Sequence, residues 1–150
     1  MKFEDSIFIQ ASPERVYHFF EEMEKNYLRW HPDHLSFAWR KGRGLQVGNE
    51  FYFEEKIAGQ LLKKETRFRK ITPNRYIEFV MVHWLYRWFI PKMTFIFEPR
   101  EQGCIFTGQV FLRGAGPIGK WVNRQEFAAV RQHMKEEGER LKSIIEQGDL

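Results

Sequence analysis

Two residues near the end of the chain, His133 and Glu137, have the types and the spacing of a pair that could bind a metal or move a proton. They are four residues apart in a predicted helix, Pro117 to Gln147, so both side chains leave the same helix face. That face also carries apolar residues that recur mostly at steps of three and four: Trp121, Phe127, Val130, Met134, Leu141, Ile144 and Ile145. A carboxylate in such a stripe costs free energy unless it is paired, hydrogen-bonded or bound to a metal. The pair is therefore either a hydrogen-bonded contact at the edge of the stripe or part of a larger site.

A second carboxylate, Glu55, is predicted to point inward from a strand. Side chains alternate between the two faces of the predicted strand Glu50 to Ile57, which places Glu55 on the apolar face with Phe51 and Phe53. A slip of one residue would turn Glu54 inward instead. The sequence favours the first register and leaves the second open.

Two histidines lie beside Pro32, where a predicted helix from Glu22 to Trp30 should end because proline disfavours helical geometry at His31. We favour His34 as the functional histidine, since His31 is held by Pro32 and can still belong to the helix end. Two imidazoles and two carboxylates suit Zn2+ or another divalent first-row metal. The sequence therefore predicts a metal site formed by His34 (or His31), Glu55, His133 and Glu137.

The remaining sequence predicts the elements that would position these residues. Ser12 can cap a helix that has Pro13 at its first position. Short, turn-bounded strands are predicted at Lys2 to Gln10, Leu35 to Arg40, Glu50 to Ile57, Gln60 to Lys70, Arg75 to Trp84, Met93 to Glu98 and Cys104 to Arg113. This order predicts an α+β fold in which a curved antiparallel sheet wraps around the long C-terminal helix, with two short helices and a pocket between sheet and helix.

Composition is consistent with one domain spanning residues 1–150 and with a lined cavity. The chain has 150 residues, of which 17% are aromatic, including fifteen Phe and five Trp. So many rings indicate either a deep apolar interior or a cavity with aromatic walls. We predict that the walls include Phe51, Phe53, Phe79 and Met81, and that the partner is a small hydrophobic or aromatic ligand.

Charge and cysteine content exclude several other classes of protein. The single cysteine, Cys104, rules out an internal disulfide framework, and the first residues lack the apolar segment of a secretory signal, so a cytoplasmic location is the simplest interpretation. The apolar stretch Phe79 to Phe97 is interrupted well short of the ~20 residues that a membrane span requires. The net charge of +4 comes with no nucleic-acid-binding motif. We expect no nucleic-acid and no membrane partner, and leave a homodimer open.

Parts of the chain resemble known families. The opening Ala11-Ser12-Pro13-Glu14-Arg15-Val16, the Val47-Gly48 pair and the long final helix resemble the helix-grip superfamily, which includes START, pollen-allergen and polyketide cyclase-like domains. Within it, Trp30-His31-Pro32-Asp33-His34, the Glu55 strand and the final-helix pair resemble the 2,4-diacetylphloroglucinol hydrolase family. Those enzymes are zinc-dependent and cleave the carbon-carbon bond between an aromatic ring and an acyl group. Their two His and two Glu would correspond to His34 (or His31), Glu55, His133 and Glu137.

The resemblance implies a metal-dependent hydrolase that acts on a small aromatic ketone. In that chemistry the acyl carbonyl is polarised, or a bound water is acidified, and a nearby acid protonates the ring carbon. Tyr27 and His83 are the candidate acids, although each is also explained as a hydrogen-bonded residue of the pocket wall. The alternative function is non-catalytic binding or transport of a small hydrophobic ligand, with His133 and Glu137 merely paired.

Overall fold

Seven strands and four helices are formed by residues 1–113 and 124–148, which are the residues that the computed structural model describes. In chain order, these elements are β1 Lys2–Ile9, α1 Pro13–Glu21, α2 Met23–Trp30, β2 His34–Lys41, β3 Glu50–Ile57, β4 Gln60–Thr72, β5 Tyr76–Met81, α3 Trp84–Phe89, β6 Lys92–Arg100, β7 Gly103–Phe111 and α4 Arg124–Glu146. The predicted start of the long helix, from Pro117 through Trp121, lies outside the described residues.

The strands form one antiparallel sheet in the order β1-β7-β6-β5-β4-β3-β2. Register shifts occur in β2, between His34 and Ser36 and between Trp39 and Lys41, and a further shift occurs in the β4–β5 pairing. Such bulges bend a strand and increase its twist, so the sheet curves around the helix. This architecture confirms the predicted α+β fold with a curved sheet, two short helices and a long C-terminal helix.

Helix α1 begins and helix α2 ends where the sequence predicts. Ser12 accepts a hydrogen bond from the backbone N–H of Arg15, and Pro13 opens α1. The helix α2 ends at Trp30, and His31 has extended backbone angles before Pro32. The proline therefore releases the chain into β2, which starts at His34.

Helix α4 packs closely against β1 and closes the concave side of the sheet. Leu141 and Ile145 on its inner face are fully buried. A Cβ atom at Gly138 would lie only 3.0 Å from a carboxylate oxygen of Asp5 in β1, so glycine permits this close approach. The packing fixes the orientation of α4, and with it the direction in which His133 points.

One predicted element is wrong. The strand predicted from Arg75 to Trp84 ends at Met81, and the next residues form the short helix α3. The side chain of His83 accepts a hydrogen bond from the backbone N–H of Leu85 and so begins a helical turn. Apolar composition alone does not distinguish a strand from a helix over so few residues. Among the described helices, none is long and apolar enough to cross a membrane.

Candidate functional site

A cavity of about 680 Å³ lies between the concave face of the sheet and α4. Its lining is dominated by aromatic and aliphatic side chains from β3, β4, β5, β6 and α4. All four residues predicted as pocket walls, Phe51, Phe53, Phe79 and Met81, line it and are buried. The alternation in β3 that directs Phe51 and Phe53 inward also directs Glu55 inward, which settles the register in favour of the predicted one.

Four side chains from three elements meet at the wall of this cavity, and we call them the inner cluster: His34 from β2, Glu55 from β3, and His133 with Glu137 from α4. Nε2 of His133 lies 3.4 Å from Oε2 of both Glu55 and Glu137. Nε2 of His34 lies 2.9 Å from Oε2 of Glu137 and 4.0 Å from Oε2 of Glu55. The structure thus brings together the four residues that the sequence singled out.

The tautomer of His34 is determined by its second ring nitrogen. Nδ1 lies 2.9 Å from the backbone carbonyl of Tyr27, so Nδ1–H is the donor in that hydrogen bond. A neutral His34 then directs the lone pair of Nε2 toward Glu137, which is also an acceptor. Two acceptors at 2.9 Å require a proton or a cation between them.

His133 is buried between the carboxylates of Glu55 and Glu137. Among the described residues, neither ring nitrogen of His133 has a hydrogen-bond partner of good geometry. Burial lowers the pKa of His133, but Glu137 and Glu55 outweigh it and raise the pKa to about 10. Without another cation, His133 therefore carries the positive charge that the two carboxylates demand.

Lys64 completes the polar surroundings of Glu55. Its ammonium group donates a hydrogen bond of 2.9 Å to Oε1 of Glu55. Burial raises the pKa of Glu55, but Lys64 and His133 outweigh burial and hold the pKa well below its usual value. Sequence reasoning missed Lys64, although the alternation in β4 places it on the same inner face as Thr66 and Phe68.

The geometry of the inner cluster fits a divalent cation. The four ligand atoms all lie within 4.8 Å of one another. Ligand atoms about 2.0–2.1 Å from a tetrahedral zinc are about 3.3 Å apart, and both contacts of His133 are 3.4 Å. The hydrogen bond from His34 Nδ1 to a backbone carbonyl is the orientation typical of metal-binding histidines. The donor set and spacing therefore suit zinc after small side-chain shifts.

His31 lies beside the inner cluster but has other partners. The backbone N–H of Asp33 donates to its Nδ1 at 2.9 Å, so Nε2 carries the proton and donates to Glu136 at 2.9 Å. Both ring nitrogens of His31 are thereby occupied outside the inner cluster, whereas Nε2 of His34 faces Oε2 of Glu137 within it at 2.9 Å. Of the two histidines that the sequence left open, His34 has the geometry of a ligand.

The two candidate acids differ in position. Tyr27 lines the cavity, and its ring stacks on His34 with a centroid separation of 4.0 Å. Burial, reinforced by Glu55 and Glu137, holds the pKa of Tyr27 far above its usual value, so the hydroxyl keeps its proton. His83, by contrast, is exposed and caps α3. The prediction that His83 faces the pocket is wrong, because the strand that would have turned it inward ends at Met81.

Comparison with solved structures gives matches over the whole chain. TTHA0849 from Thermus thermophilus superimposes with a TM-score of 0.78 at 14% identity, covering 100% of both chains. The Zhui aromatase/cyclase from Streptomyces sp. R1128 gives 0.75 at 13% identity, covering 100% of this chain and 96% of that one. Ara h 8.0201 gives 0.69 at 12% identity, covering 99% of each chain. These similarities establish the helix-grip fold.

The family comparison rests on sequence. No curated protein matches the chain. The family described as polyketide cyclase / dehydrase and lipid transport matches residues 1–146, which is nearly the entire chain and includes all four residues of the inner cluster. With the curved sheet, the long final helix and the cavity between them, this match shows that the chain belongs to the polyketide cyclase/dehydrase and lipid transport family.

Proposed function

We propose that this protein is a divalent-metal-dependent hydrolase that cleaves the carbon-carbon bond between an aromatic ring and an acyl group. The observation that carries the proposal is the inner cluster, in which a buried His133 without a hydrogen-bond partner among the described residues faces two carboxylates at 3.4 Å. Buried polar groups in folded proteins normally make well-aligned hydrogen bonds. A buried imidazole that approaches two carboxylates only to 3.4 Å, at a cavity wall, has instead the spacing expected of ligands around a metal. Zinc is the metal that the two-His, two-carboxylate donor set favours.

The cavity supports an aromatic substrate. Phe51, Phe53 and Phe79 present flat rings to a space of about 680 Å³, and Glu55, His133 and Glu137 line the same space. Apolar walls supply affinity, while a few polar groups set the orientation of the ligand. A ring that stacks among the phenylalanines can therefore direct an acyl carbonyl toward the inner cluster.

The chemistry that a bound metal would supply is polarisation of the acyl carbonyl and acidification of a water. Hydrolysis transfers the hydroxyl of water to the acyl carbon and a proton to the ring carbon, as the bond between them breaks. Lys64 holds Glu55 ionised and fixes one of its oxygens, which leaves Oε2 for the metal. Tyr27 is the candidate proton donor to the ring carbon, because it lines the cavity beside the inner cluster, where its ring stacks on His34.

The test combines metal analysis with turnover. Protein purified without chelator should contain stoichiometric zinc or another first-row metal, and it should hydrolyse acyl-phenols in a reaction that a chelator stops and added metal restores. His18→Ala is the control for any loss of metal or turnover in variants of the inner cluster, since it removes an exposed histidine of α1 that does not belong to the cluster. A protein that contains no metal, and gains none on reconstitution, would refute the proposal.

The second candidate function is binding or transport of a hydrophobic ligand. It is favoured by one observation, namely that His133, whose pKa is raised, and Lys64 can together balance the charges of the two carboxylates in the absence of a metal. The same ketones would then bind tightly in the aromatic cavity without turnover. Tight binding by fully metallated protein, with no product formed, would favour this function over hydrolysis.

A further inference from the structure

The short helix α3 forms an exposed apolar surface of a kind that folded proteins usually avoid. Every residue of Trp84–Phe89 except Arg87 is exposed, with Trp84 at 67% and Trp88 at 48%. Contiguous exposed aromatic residues mark an interaction surface rather than ordinary surface composition. We call this segment, with Ile90, the aromatic ridge.

The aromatic ridge borders the opening of the cavity. Tyr86 is 53% exposed and also lines the cavity, and Ile90 lines it as well. On the β3–β4 hairpin, Leu61 is likewise about half exposed and lines the same cavity. Residues that are both solvent-exposed and cavity-lining lie at its mouth, so the ridge is placed where a ligand would enter.

The charges around the ridge are positive. The sequence from Phe79 to Phe97 contains Arg87 and Lys92 but no aspartate or glutamate. Lys92 lies 3.9 Å from Glu78, which offsets its charge. The cations of the ridge are therefore Arg87 and Arg113, whose guanidinium lies 5.0 Å from the ring centroid of Trp88. Tryptophan, tyrosine and phenylalanine flanked by basic residues form the composition that binds at the interface of an anionic bilayer.

We propose that the aromatic ridge docks on the surface of an anionic lipid bilayer and brings the mouth of the cavity against the membrane. The two tryptophans enter the interfacial layer, and Arg87 and Arg113 contact lipid phosphates. An apolar ligand then passes between bilayer and cavity without crossing water. Such a surface contact departs from the sequence-based expectation of no membrane partner, which rested on the lack of a spanning segment. The proposal is independent of the chemistry at the inner cluster.

The test is co-sedimentation with vesicles of phosphatidylcholine alone and of phosphatidylcholine mixed with phosphatidylglycerol. The protein should sediment with the mixed vesicles, and less so at high salt or with phosphatidylcholine alone. The double variant Trp84→Ser/Trp88→Ser should lose at least about tenfold in partitioning, while Leu28→Ser, which changes an equally exposed residue of α2, should not. Arg87→Gln/Arg113→Gln should weaken binding to the mixed vesicles and remove its salt dependence.

Circular dichroism establishes whether each variant is folded. If the double tryptophan variant is unfolded, Leu85→Ser takes its place. The proposal is overturned if the unaltered protein stays in the supernatant with anionic vesicles, or if the serine variants sediment as fully as the unaltered protein. It is also overturned if size-exclusion chromatography shows a dimer that the tryptophan substitutions dissociate, while vesicles bind neither the dimer nor the monomer. The occupant of the ridge is then a second copy of the chain.

Discussion

Two buried glutamates on neighbouring parts of the sheet have opposite surroundings. Glu78 of β5 lies on the outer face, where the hydroxyl of Tyr76 donates to it at 2.6 Å, Arg69 donates to its other oxygen and Lys92 lies 3.9 Å away. Glu55 of β3 lies on the inner face, where Lys64 satisfies only Oε1. We call Glu78 with Arg69, Tyr76 and Lys92 the outer network.

The difference between the outer network and the inner cluster is a difference in donors. Each carboxylate oxygen of Glu78 has a donor at hydrogen-bond distance, and two fixed cations surround it. In the inner cluster, two carboxylates share one lysine and two titratable imidazoles. A buried carboxylate with complete partners stabilises the fold, whereas a pair with too few donors leaves room for a cation. The comparison therefore favours a structural role for the outer network and agrees with the ligand-binding role proposed for the inner cluster.

The largest effect on hydrolysis is expected from His133→Ala. Loss of this ligand should weaken metal binding by at least about 100-fold and abolish turnover, while the fold persists because the sheet and α4 bury ample apolar surface without the site. Elemental analysis and calorimetric titration measure the first effect, and far-UV circular dichroism the second. Loss of the native spectrum would instead make the inner cluster a structural centre, since zinc-dependent folds unfold without metal.

The second effect, in order of size, is expected from Glu137→Gln. The amide keeps the shape of the side chain but removes a charge, so metal affinity should fall by about tenfold or more and hydrolysis should be suppressed. The matched control is Glu136→Gln at the adjacent position, whose carboxylate contacts His31 rather than the inner cluster. Equal losses in the two variants would remove the distinction between these neighbouring carboxylates.

An effect on turnover alone, without loss of metal, is expected from Tyr27→Phe. Removing a general acid typically lowers turnover by about 10²- to 10⁴-fold, and metal content should not change. Stability should change by less than about 1 kcal/mol, because the lost hydrogen bond to the backbone carbonyl of Glu54 is long, at 3.4 Å. Steady-state kinetics that show an unchanged kcat would exclude Tyr27 as the proton donor and leave it as a stacking partner of His34.

No effect on hydrolysis is expected from Glu78→Gln. This substitution should lower the free energy of unfolding by about 1–2 kcal/mol at neutral pH. Burial raises the pKa of Glu78, but Tyr76 and Arg69 outweigh it and leave the pKa below its ordinary value of 4.5. The stabilisation is therefore present above pH ~4.5 and is lost as the pH falls through the lowered folded-state value. Urea unfolding at neutral pH and at about pH 3 should show the difference between the two proteins shrink. A constant difference would mean that the charge of Glu78 is not what stabilises the fold.

Much of the inner cluster could be predicted from local periodicity. The spacing of His133 and Glu137 places both on one helix face regardless of what the helix contacts, and the alternation in β3 places Glu55 with Phe51 and Phe53. The cap at Ser12 and the stop before Pro32 are also local, because they depend on backbone sterics of adjacent residues. For these features, the backbone geometry of a few neighbouring residues is sufficient to determine the structure.

Other features depended on contacts that the sequence does not encode locally. The choice between His31 and His34 depends on Glu136 and Glu137, which lie more than 100 positions away in the chain. The contact of Lys64 with Glu55 requires the register between β3 and β4. His83 faces solvent because β5 pairs with β6 only from Tyr76 to Phe79, so the backbone beyond Met81 is free to form α3. Side-chain types and local faces are thus determined by the sequence, but which groups satisfy one another is decided only when the sheet register and the packing of α4 fix their distances.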